Sequence, residues 1–210
     1  AEVLNIPTEA VNVVHSDTDV TPYDMATLGS RSTFHMGLAV KKAAEDAKAK
    51  LKALAAEVGL PPGSNVPIRE LFERKYKMQA GTIVGTGDFI PSYAPPNHDN
   101  GQSENVTPFW MVGATAVEVA IDTETGHMKI ERMINVADAG RSINPKIVET
   151  QLSGAAVMQL GFTTTEKMEF EAGQVTNASF ADYKIPGILD LPETMTNVMV
   201  EANQHNGPFG

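Results

Sequence analysis

The sequence contains no cysteine, and this absence removes several functions from the chain itself. Without thiols there is no disulfide, no zinc–cysteine site, no iron–sulfur cluster held by thiolates and no cysteine nucleophile. A reaction that sends electrons through iron–sulfur clusters would therefore need other polypeptide for that task.

Positive charge is also scarce. The chain has 16 Lys and Arg against 26 Asp and Glu, which gives a net charge of −10. Nucleic-acid binding needs clusters of Lys and Arg for the phosphates, and no basic patch with interleaved aromatic residues is present, so nucleic acid is not predicted as a partner. Long apolar runs are lacking too, because none approaches the roughly 18–20 residues of a membrane-spanning helix.

The remaining composition is typical of a globular protein. With 210 residues, of which 42% are hydrophobic and 20% charged, the chain is long enough for one large domain or two small ones. Its first residues carry neither an initiator Met nor the basic and apolar regions of a signal peptide. We therefore expect a cytoplasmic location, and a processed chain or a piece of a longer one.

Common catalytic and cofactor motifs are missing as well. The three aspartates between residues 17 and 24 lack the spacing of a calcium loop, and Gly85 and Gly87 are not followed by the third glycine of a dinucleotide fingerprint. There is no phosphate loop, no His-Glu-x-x-His and no Gly-x-Ser-x-Gly. No metal ligand is predicted, since we expect each of the five widely spaced histidines to be a surface or locally hydrogen-bonded residue: His15, His35, His98, His127 and His205.

The polar segment over residues 16–33 is the most informative part that is present. It is rich in Ser, Thr and Asp, and it joins a predicted strand over residues 11–15 to a helix predicted to open between Ser30 and Thr33. Unpaired N–H groups and hydroxyls at a helix start suit an anion, so the segment is a candidate cofactor cradle. An ordinary Asx-rich turn with a serine cap explains the same residues, and the local sequence leaves both interpretations open.

The rest of the chain predicts helices mixed with antiparallel hairpins. Because strands and helices follow one another without regular βαβ alternation, we predict an α+β fold. The predicted elements are the first helix ending at Gly59, a second over residues 68–75, a strand over 81–90, a long polar loop over 91–108, a hairpin over 114–121 and 127–136, a helix over 145–164, a short hairpin over 168–170 and 175–179, and a strand over 197–201.

Four sequence blocks carry a resemblance to a known family. They cover residues 19–40, 114–145, 151–161 and 182–210, and they end in Gly207-Pro208-Phe209-Gly210. Together they resemble the C-terminal part of the molybdopterin-binding subunit of the xanthine oxidase and xanthine dehydrogenase family, the molybdenum hydroxylases. The resemblance implies that residues 1–210 form part of the second molybdopterin-binding domain, with an upstream half and the segment of the catalytic glutamate absent.

The resemblance also implies a reaction, a cofactor and partners. Members hydroxylate an N-heteroaromatic ring or an aldehyde with water as the oxygen source, at molybdenum held by molybdopterin or by its cytosine dinucleotide. A glutamate acts as general base, and by position it would follow just beyond Gly210. The implied partners are a small-molecule substrate, the rest of the molybdopterin subunit, and iron–sulfur and FAD-containing subunits or domains.

The same resemblance implies cofactor-binding residues. Gly29, Ser30, Arg31 and Ser32 match the small, hydroxyl-bearing loop that lies against the molybdenum and the pterin. Gln151 matches a glutamine that hydrogen-bonds the cofactor, and we expect its amide in the same pocket; its alternative is a glutamine on a helix surface.

Other matched residues are given no cofactor contact. Residues 138–145 match a structural turn, residues 183–186 match a segment near the substrate, and Gln159 departs from the family pattern. Two alternatives to an enzyme remain, namely a non-catalytic scaffold or interaction domain of the same fold and an unrelated acidic α+β binding module.

We predict that the isolated 210 residues bind no molybdenum tightly, show no hydroxylase activity and self-associate. The reasons are the missing general base, the missing route for electrons and apolar residues such as Phe209 that need a cover. Metal analysis and light scattering of the purified chain check this. A monomeric, cofactor-loaded and active preparation would contradict it.

Overall fold

The computed structural model describes residues 1–14, 16–24, 26–64, 66–79, 81–203 and 205–210. The contacts within it divide the chain into two units, Ala1–Pro108 and Phe109–Gly210. Across the described residues, no helix combines the length and the apolar character that a membrane crossing requires.

The first unit is organised around helix α1, Ser32–Glu57. Its middle is rich in Ala, Lys and Glu, which favour helix. It ends at the predicted place, because Gly59 adopts a positive φ of 76° and the N–H groups of Gly59 and Leu60 donate to the carbonyls of Ala56 and Ala55 at 3.0 and 2.9 Å. This pair of bonds is a Schellman C-cap, and it confirms the predicted helix end.

The second predicted helix is also confirmed, as α2, Ile68–Tyr76. It packs against α1, and Leu54 of α1 and Leu71 of α2 are the buried apolar residues of this unit among those described. A 3-10 turn, Thr8–Ala10, precedes them.

The strand predicted over residues 11–15 is not found where the structure can test it. Residues 11–14 form no strand, and Val13 and Val14 are exposed; residue 15 lies outside the described residues. Apolar β-branched residues form a strand only when a neighbouring strand supplies backbone partners, and no described segment does so here.

The prediction of a strand over residues 81–90 is also wrong, because this segment lies against a helix and not beside another strand. This segment belongs to no sheet and lies against α1, where side chains replace a neighbouring strand as partners. The Lys42 and Lys50 ammonium groups donate to the carbonyls of Asp88 and Val84 at 3.0 and 2.9 Å. The Thr86 N–H donates to the Asp46 carboxylate at 2.9 Å.

Two glycines allow this segment to lie so close to the helix. A Cβ on Gly85 would lie 2.1 Å from the carbonyl oxygen of Ala43, and a Cβ on Gly87 would lie 2.5 Å from that of Ala39. Because these neighbours are helix backbone, no rotation of a side chain can make room.

The second unit contains a three-stranded sheet with the order β1-β2-β5. Strands β1, Gly113–Ile121, and β2, Met128–Asp138, pair antiparallel, with a register shift between Glu118 and Val119. The turn between them is closed by the Asp122 N–H, which donates to the His127 carbonyl at 2.9 Å. The predicted hairpin is therefore confirmed.

Helix α3, Pro145–Thr164, follows β2 and is confirmed together with its start signal. The Asn144 side chain accepts from the Ile147 N–H at 3.3 Å, with Pro145 as the first helical residue. After a two-residue hairpin of β3, Phe170–Glu171, and β4, Gln174–Val175, and a 3-10 turn, Ile188–Asp190, the chain enters β5, Thr194–Val200.

Strand β5 pairs parallel to β2, from Arg132↔Thr194 to Asp138↔Val200. The α+β class is confirmed, but this parallel pair was not predicted, because it joins segments that a whole helix and hairpin separate. Helix α3 packs on β2 and β5, on the face where Met133, Asn135 and Ala137 are buried.

We predict that Gly87→Ala destabilises the first unit by about 1–3 kcal/mol, since its methyl group would overlap the backbone of α1. The matched control is Thr86→Ala, which removes an exposed hydroxyl with one long hydrogen bond, 3.5 Å, to the Asp46 carboxylate and should change the free energy of unfolding by less than about 0.5 kcal/mol. Urea unfolding of both variants measures the difference. Equal stability of Gly87→Ala and the parent would contradict the close packing described above.

Candidate functional site

The start of α1 is preceded by a tight turn at Gly29 and Ser30. Both residues have left-handed backbones, with φ of 60° and 57°, and Arg31 returns to a helical conformation as the N-cap residue. A non-glycine residue in the left-handed region is unfavourable by roughly 1 kcal/mol, so the surrounding contacts must hold Ser30 there. A Cβ on Gly29 would meet nothing within 4 Å, which leaves open space beside this turn.

Side-chain contacts fix the turn from both sides. The Arg31 guanidinium lies 3.3 Å from the Asp24 carboxylate and also donates to the Ala26 carbonyl at 3.3 Å. The Ser32 hydroxyl donates to the Thr27 hydroxyl at 3.0 Å. No side chain caps α1 among the described residues, so the serine cap considered as an alternative is wrong, although an Asx turn is present where Asp17 accepts from the Asp19 N–H at 2.9 Å.

The donors at this turn are suited to an anion. Within the described residues, the backbone N–H groups of Ser32 and Thr33 have no acceptor, as expected for the first turn of a helix. The hydroxyl of Ser30 and the guanidinium of Arg31 lie beside them in sequence, whereas the Ser32 hydroxyl donates to Thr27. The positive end of a long helix adds to this preference for negative charge.

His35, one turn further along α1, was missed by the sequence analysis. Its imidazole lies against the rings of Phe34 and Phe89, with centroids 5.4 and 6.0 Å away. Both ring nitrogens are buried and have no hydrogen-bond partner among the described residues. His35 is thus neither a surface residue nor a locally hydrogen-bonded one, and no sequence pattern distinguishes it from the other histidines.

The surroundings of His35 favour its neutral form. Desolvation is the main cause that lowers the pKa of His35, and the neighbouring Arg31 charge lowers it further, while Asp24 opposes the shift. The neutral imidazole is therefore favoured at this position, one helical turn after the N-cap residue Arg31.

Gln151 lies in α3, as predicted. Its side chain is exposed and no described residue hydrogen-bonds it. Residues on either side of it are held against the sheet, because the Asn197 amide donates to the Glu149 carbonyl at 3.3 Å and to the Ser153 hydroxyl at 2.6 Å. The exposed amide of Gln151 thus projects from a helix whose other side is fixed.

The remaining matched segments have structural contacts. The Asp138 carboxylate accepts from the N–H groups of Gly140 and Ala202 at 3.0 and 3.3 Å, which closes the turn after β2. The Tyr183 hydroxyl donates to the Glu166 carboxylate at 2.6 Å, and this bond is the main cause that raises the pKa of Tyr183.

The candidate residues fall in both units. Gly29, Ser30, Arg31 and Ser32 form one continuous turn in Ala1–Pro108, and Gln151 belongs to Phe109–Gly210. That they share one cofactor pocket remains a prediction. The described part of the chain contains no group of three or more His, Cys, Asp or Glu side chains arranged to hold a metal ion.

Comparisons with known proteins agree on one family. The sequence model described as the molybdopterin cofactor-binding domain matches residues 1–192. The chain is 30% identical over 227 residues to the gamma subunit of the 6-hydroxypseudooxynicotine dehydrogenase complex of Paenarthrobacter nicotinovorans, covering all of this chain and 28% of that protein. It is 29% identical over 219 residues to the xanthine dehydrogenase molybdenum-binding subunit of Escherichia coli O157:H7, again covering all of this chain and 29% of the relative.

A solved structure agrees with these sequence relatives. The chain superposes on CO dehydrogenase from Oligotropha carboxidovorans with a TM-score of 0.69 and 26% identity, over 92% of this chain and 25% of that one. The chain therefore spans about a quarter of the length of the proteins it matches.

We predict that the first unit loses stability as the pH falls below about 6.5, the ordinary histidine pKa. Since the folded state lowers the pKa of His35, the unfolded state binds the proton more readily, and stability is lost from there down through the folded pKa. His35→Phe should flatten this part of the profile, whereas His98→Asn, which removes an exposed histidine of the same unit, should not. Urea unfolding between about pH 5 and 8 measures the slopes; equal slopes for His35→Phe and the parent would exclude this role.

Proposed function

Because the chain belongs to the molybdopterin cofactor-binding domain family of the molybdenum hydroxylases, we propose that it forms part of the cofactor-binding subunit of a molybdenum-dependent oxidoreductase. The match over residues 1–192 is the observation that carries this proposal. The enzyme would hydroxylate or dehydrogenate an N-heteroaromatic or aldehyde substrate in the cytoplasm, with water as the oxygen source. When bound, the molybdenum centre supplies the two-electron redox chemistry and the activation of water.

The whole of residues 1–210 is proposed to belong to one molybdopterin-binding domain that further polypeptide completes. This is supported by the relatives, of which the chain spans about a quarter. The further polypeptide would supply the other cofactor and substrate contacts and the glutamate that takes a proton as general base, proposed to follow Gly210.

In the first unit, Gly29, Ser30, Arg31 and Ser32 are proposed to bind an anionic part of the cofactor. The donors present fit such a group, because the N–H groups of Ser32 and Thr33 lack acceptors among the described residues and open space adjoins Gly29. Molybdopterin carries a phosphate, so N–H groups, hydroxyls and a guanidinium are suitable donors for it. The Asp24 carboxylate would hold Arg31 in place and keep its charge at the turn.

In the second unit, Gln151 is proposed to hydrogen-bond the cofactor through its side-chain amide. The exposed position on α3, with no partner among the described residues, supports this role, since an amide both donates and accepts and so matches the edge of a pterin. Its contribution would be to orient the cofactor; no proton transfer is assigned to it.

The electrons released by the substrate are proposed to leave through iron–sulfur clusters, and in part through FAD, on partner subunits or domains. The lack of cysteine in this chain is in keeping with clusters held elsewhere. One relative is named as a subunit of a dehydrogenase complex and another as the molybdenum-binding subunit of xanthine dehydrogenase. The cofactor is proposed to be molybdopterin or its cytosine dinucleotide.

Metal and pterin analysis of the intact protein tests the proposal directly. About one molybdenum and one pterin per copy of this chain are expected in the purified complex. A fully assembled complex with neither would favour the non-catalytic scaffold instead.

We predict that Gln151→Leu lowers the molybdenum that the full enzyme retains after dialysis, because the loss of a group that orients a metal site weakens metal affinity by roughly 10–100-fold. The matched control is Gln159→Leu, which alters an exposed glutamine of the same helix whose amide donates to the Thr163 hydroxyl at 3.4 Å. Both variants should keep the circular dichroism spectrum of the parent. Full molybdenum occupancy in Gln151→Leu would refute the assignment.

A further inference from the structure

A chain of amide hydrogen bonds crosses the sheet of the second unit. Asn135 lies in the middle of β2, is only 3% exposed and stands between the buried residues Met133 and Ala137. An unpaired amide in such a place is strongly unfavourable, so its partners matter. Its carbonyl oxygen accepts from the Thr115 hydroxyl on β1 at 3.1 Å, and its NH2 donates to the Asn197 carbonyl oxygen on β5 at 3.0 Å.

These three residues face one another directly across the strands. Thr115 pairs with Asn135 in the antiparallel register, and Asn135 pairs with Asn197 in the parallel one. The NH2 of Asn197 then donates to Ser153 and Glu149 of α3. Turning one amide over would bring NH2 against NH2 or oxygen against oxygen, and turning both over would place the Asn197 oxygen against the Glu149 carbonyl oxygen. The direction of this series of hydrogen bonds is therefore fixed.

This series of hydrogen bonds ends at two residues of α3 that flank Gln151. Glu149 and Ser153 stand two residues before and two residues after it, and each residue turns a helix by about 100°. Two residues therefore turn it by about 200°, so Glu149 and Ser153 lie on the side facing Asn197 while Gln151 lies on the opposite side. A rotation or a slide of this helical turn moves the Gln151 amide with it.

Apolar burial is weaker in the N-terminal half of α3 than near its C-terminal end. The buried residues of the helix are Leu160 and Gly161, near its C-terminal end, where Gly161 lies close to Pro186. In the N-terminal half, Ile147 is exposed and no residue is fully buried. Val148 and Leu152 are half-buried, and the Asn197 amide adds directed hydrogen bonds that fix the helical turn of Gln151 on the sheet.

We propose that Asn197, oriented by Asn135, is a positioning residue that sets where the Gln151 amide meets the cofactor. This rests on the proposed function, in which Gln151 binds the cofactor. Neither asparagine touches the cofactor in this role, because both act through α3.

The test uses the full enzyme and follows the release of molybdenum during dialysis, by metal analysis. Asn197→Ala should speed molybdenum release about tenfold, the lower end of the effect of removing a group that orients a metal-site residue. In a Gln151→Ala background the same change should add less than about twofold, since two mutations that act through one contact are not additive. Ser153→Ala, which removes a single acceptor, should give a smaller acceleration, and Ser153→Thr, which keeps the hydroxyl, should restore the parent rate.

Asn177→Ala is the matched control for a general loss of stability. Asn177 is also buried, and its amide accepts from the Glu169 N–H and donates to the Lys167 carbonyl at 2.9 and 2.6 Å, near the hairpin of β3 and β4. This variant should lower the melting temperature as Asn197→Ala does, but release molybdenum at the parent rate.

The outcomes separate the two proposals. If Gln151→Ala retains molybdenum like the parent, the contact proposed for Gln151 is absent and the positioning role fails with it. If Gln151→Ala releases molybdenum quickly but Asn197→Ala does not, the positioning role alone is overturned. The same holds if the release rate of the double variant rises by the product of the two single accelerations. Equal acceleration by Asn177→Ala would also overturn it. If Asn197→Ala does not fold, the release rates of Ser153→Ala and Ser153→Thr replace it in the same comparison with Gln151→Ala.

Discussion

The scarcity of buried apolar side chains constrains both units of this protein. Among the described residues, six apolar side chains are buried and none is exposed by less than 2%. With so little apolar surface removed from water, side-chain packing alone does not position the helices. Each unit instead uses close backbone contact and directed hydrogen bonds, which fix position more sharply than a small core does.

The two units position their helices by different contacts. In the first, Gly85 and Gly87 let an extended segment lie directly on α1, and lysines of the helix bond its carbonyls. In the second, an amide chain that includes Asn135 and Asn197 links three strands to α3. Many large apolar side chains remain exposed, Trp110 and Met111 among them. In the proposed function, the rest of a much longer subunit would cover such residues.

Local signals in the sequence were sufficient for the helices and the main hairpin. Gly59 ended α1, Asn144 and Pro145 started α3, and the turn after Asp122 formed the hairpin, because each signal acts within a few residues. The predictions over residues 11–14 and 81–90 failed because a strand depends on a distant partner. The parallel pairing of β2 with β5 was missed for the same reason, and so was the Asn135–Asn197 bond, which spans 62 residues of sequence.

For the candidate site, too, the sequence identified the residues but not the distant contacts around them. Gln151 and the turn at Gly29 and Ser30 were identified by resemblance, and the structure places them at an exposed helical turn and at a strained helix start. The contacts around them were not predicted, because His35 meets Phe89 and Asn197 meets α3 only when segments far apart in sequence come together. Each candidate element is therefore exposed and is held by polar contacts, those of Arg31 and Ser32 at the turn and that of Asn197 on α3. An arrangement of this kind keeps donors available to a ligand while limiting their motion, which is what orientation of a cofactor requires.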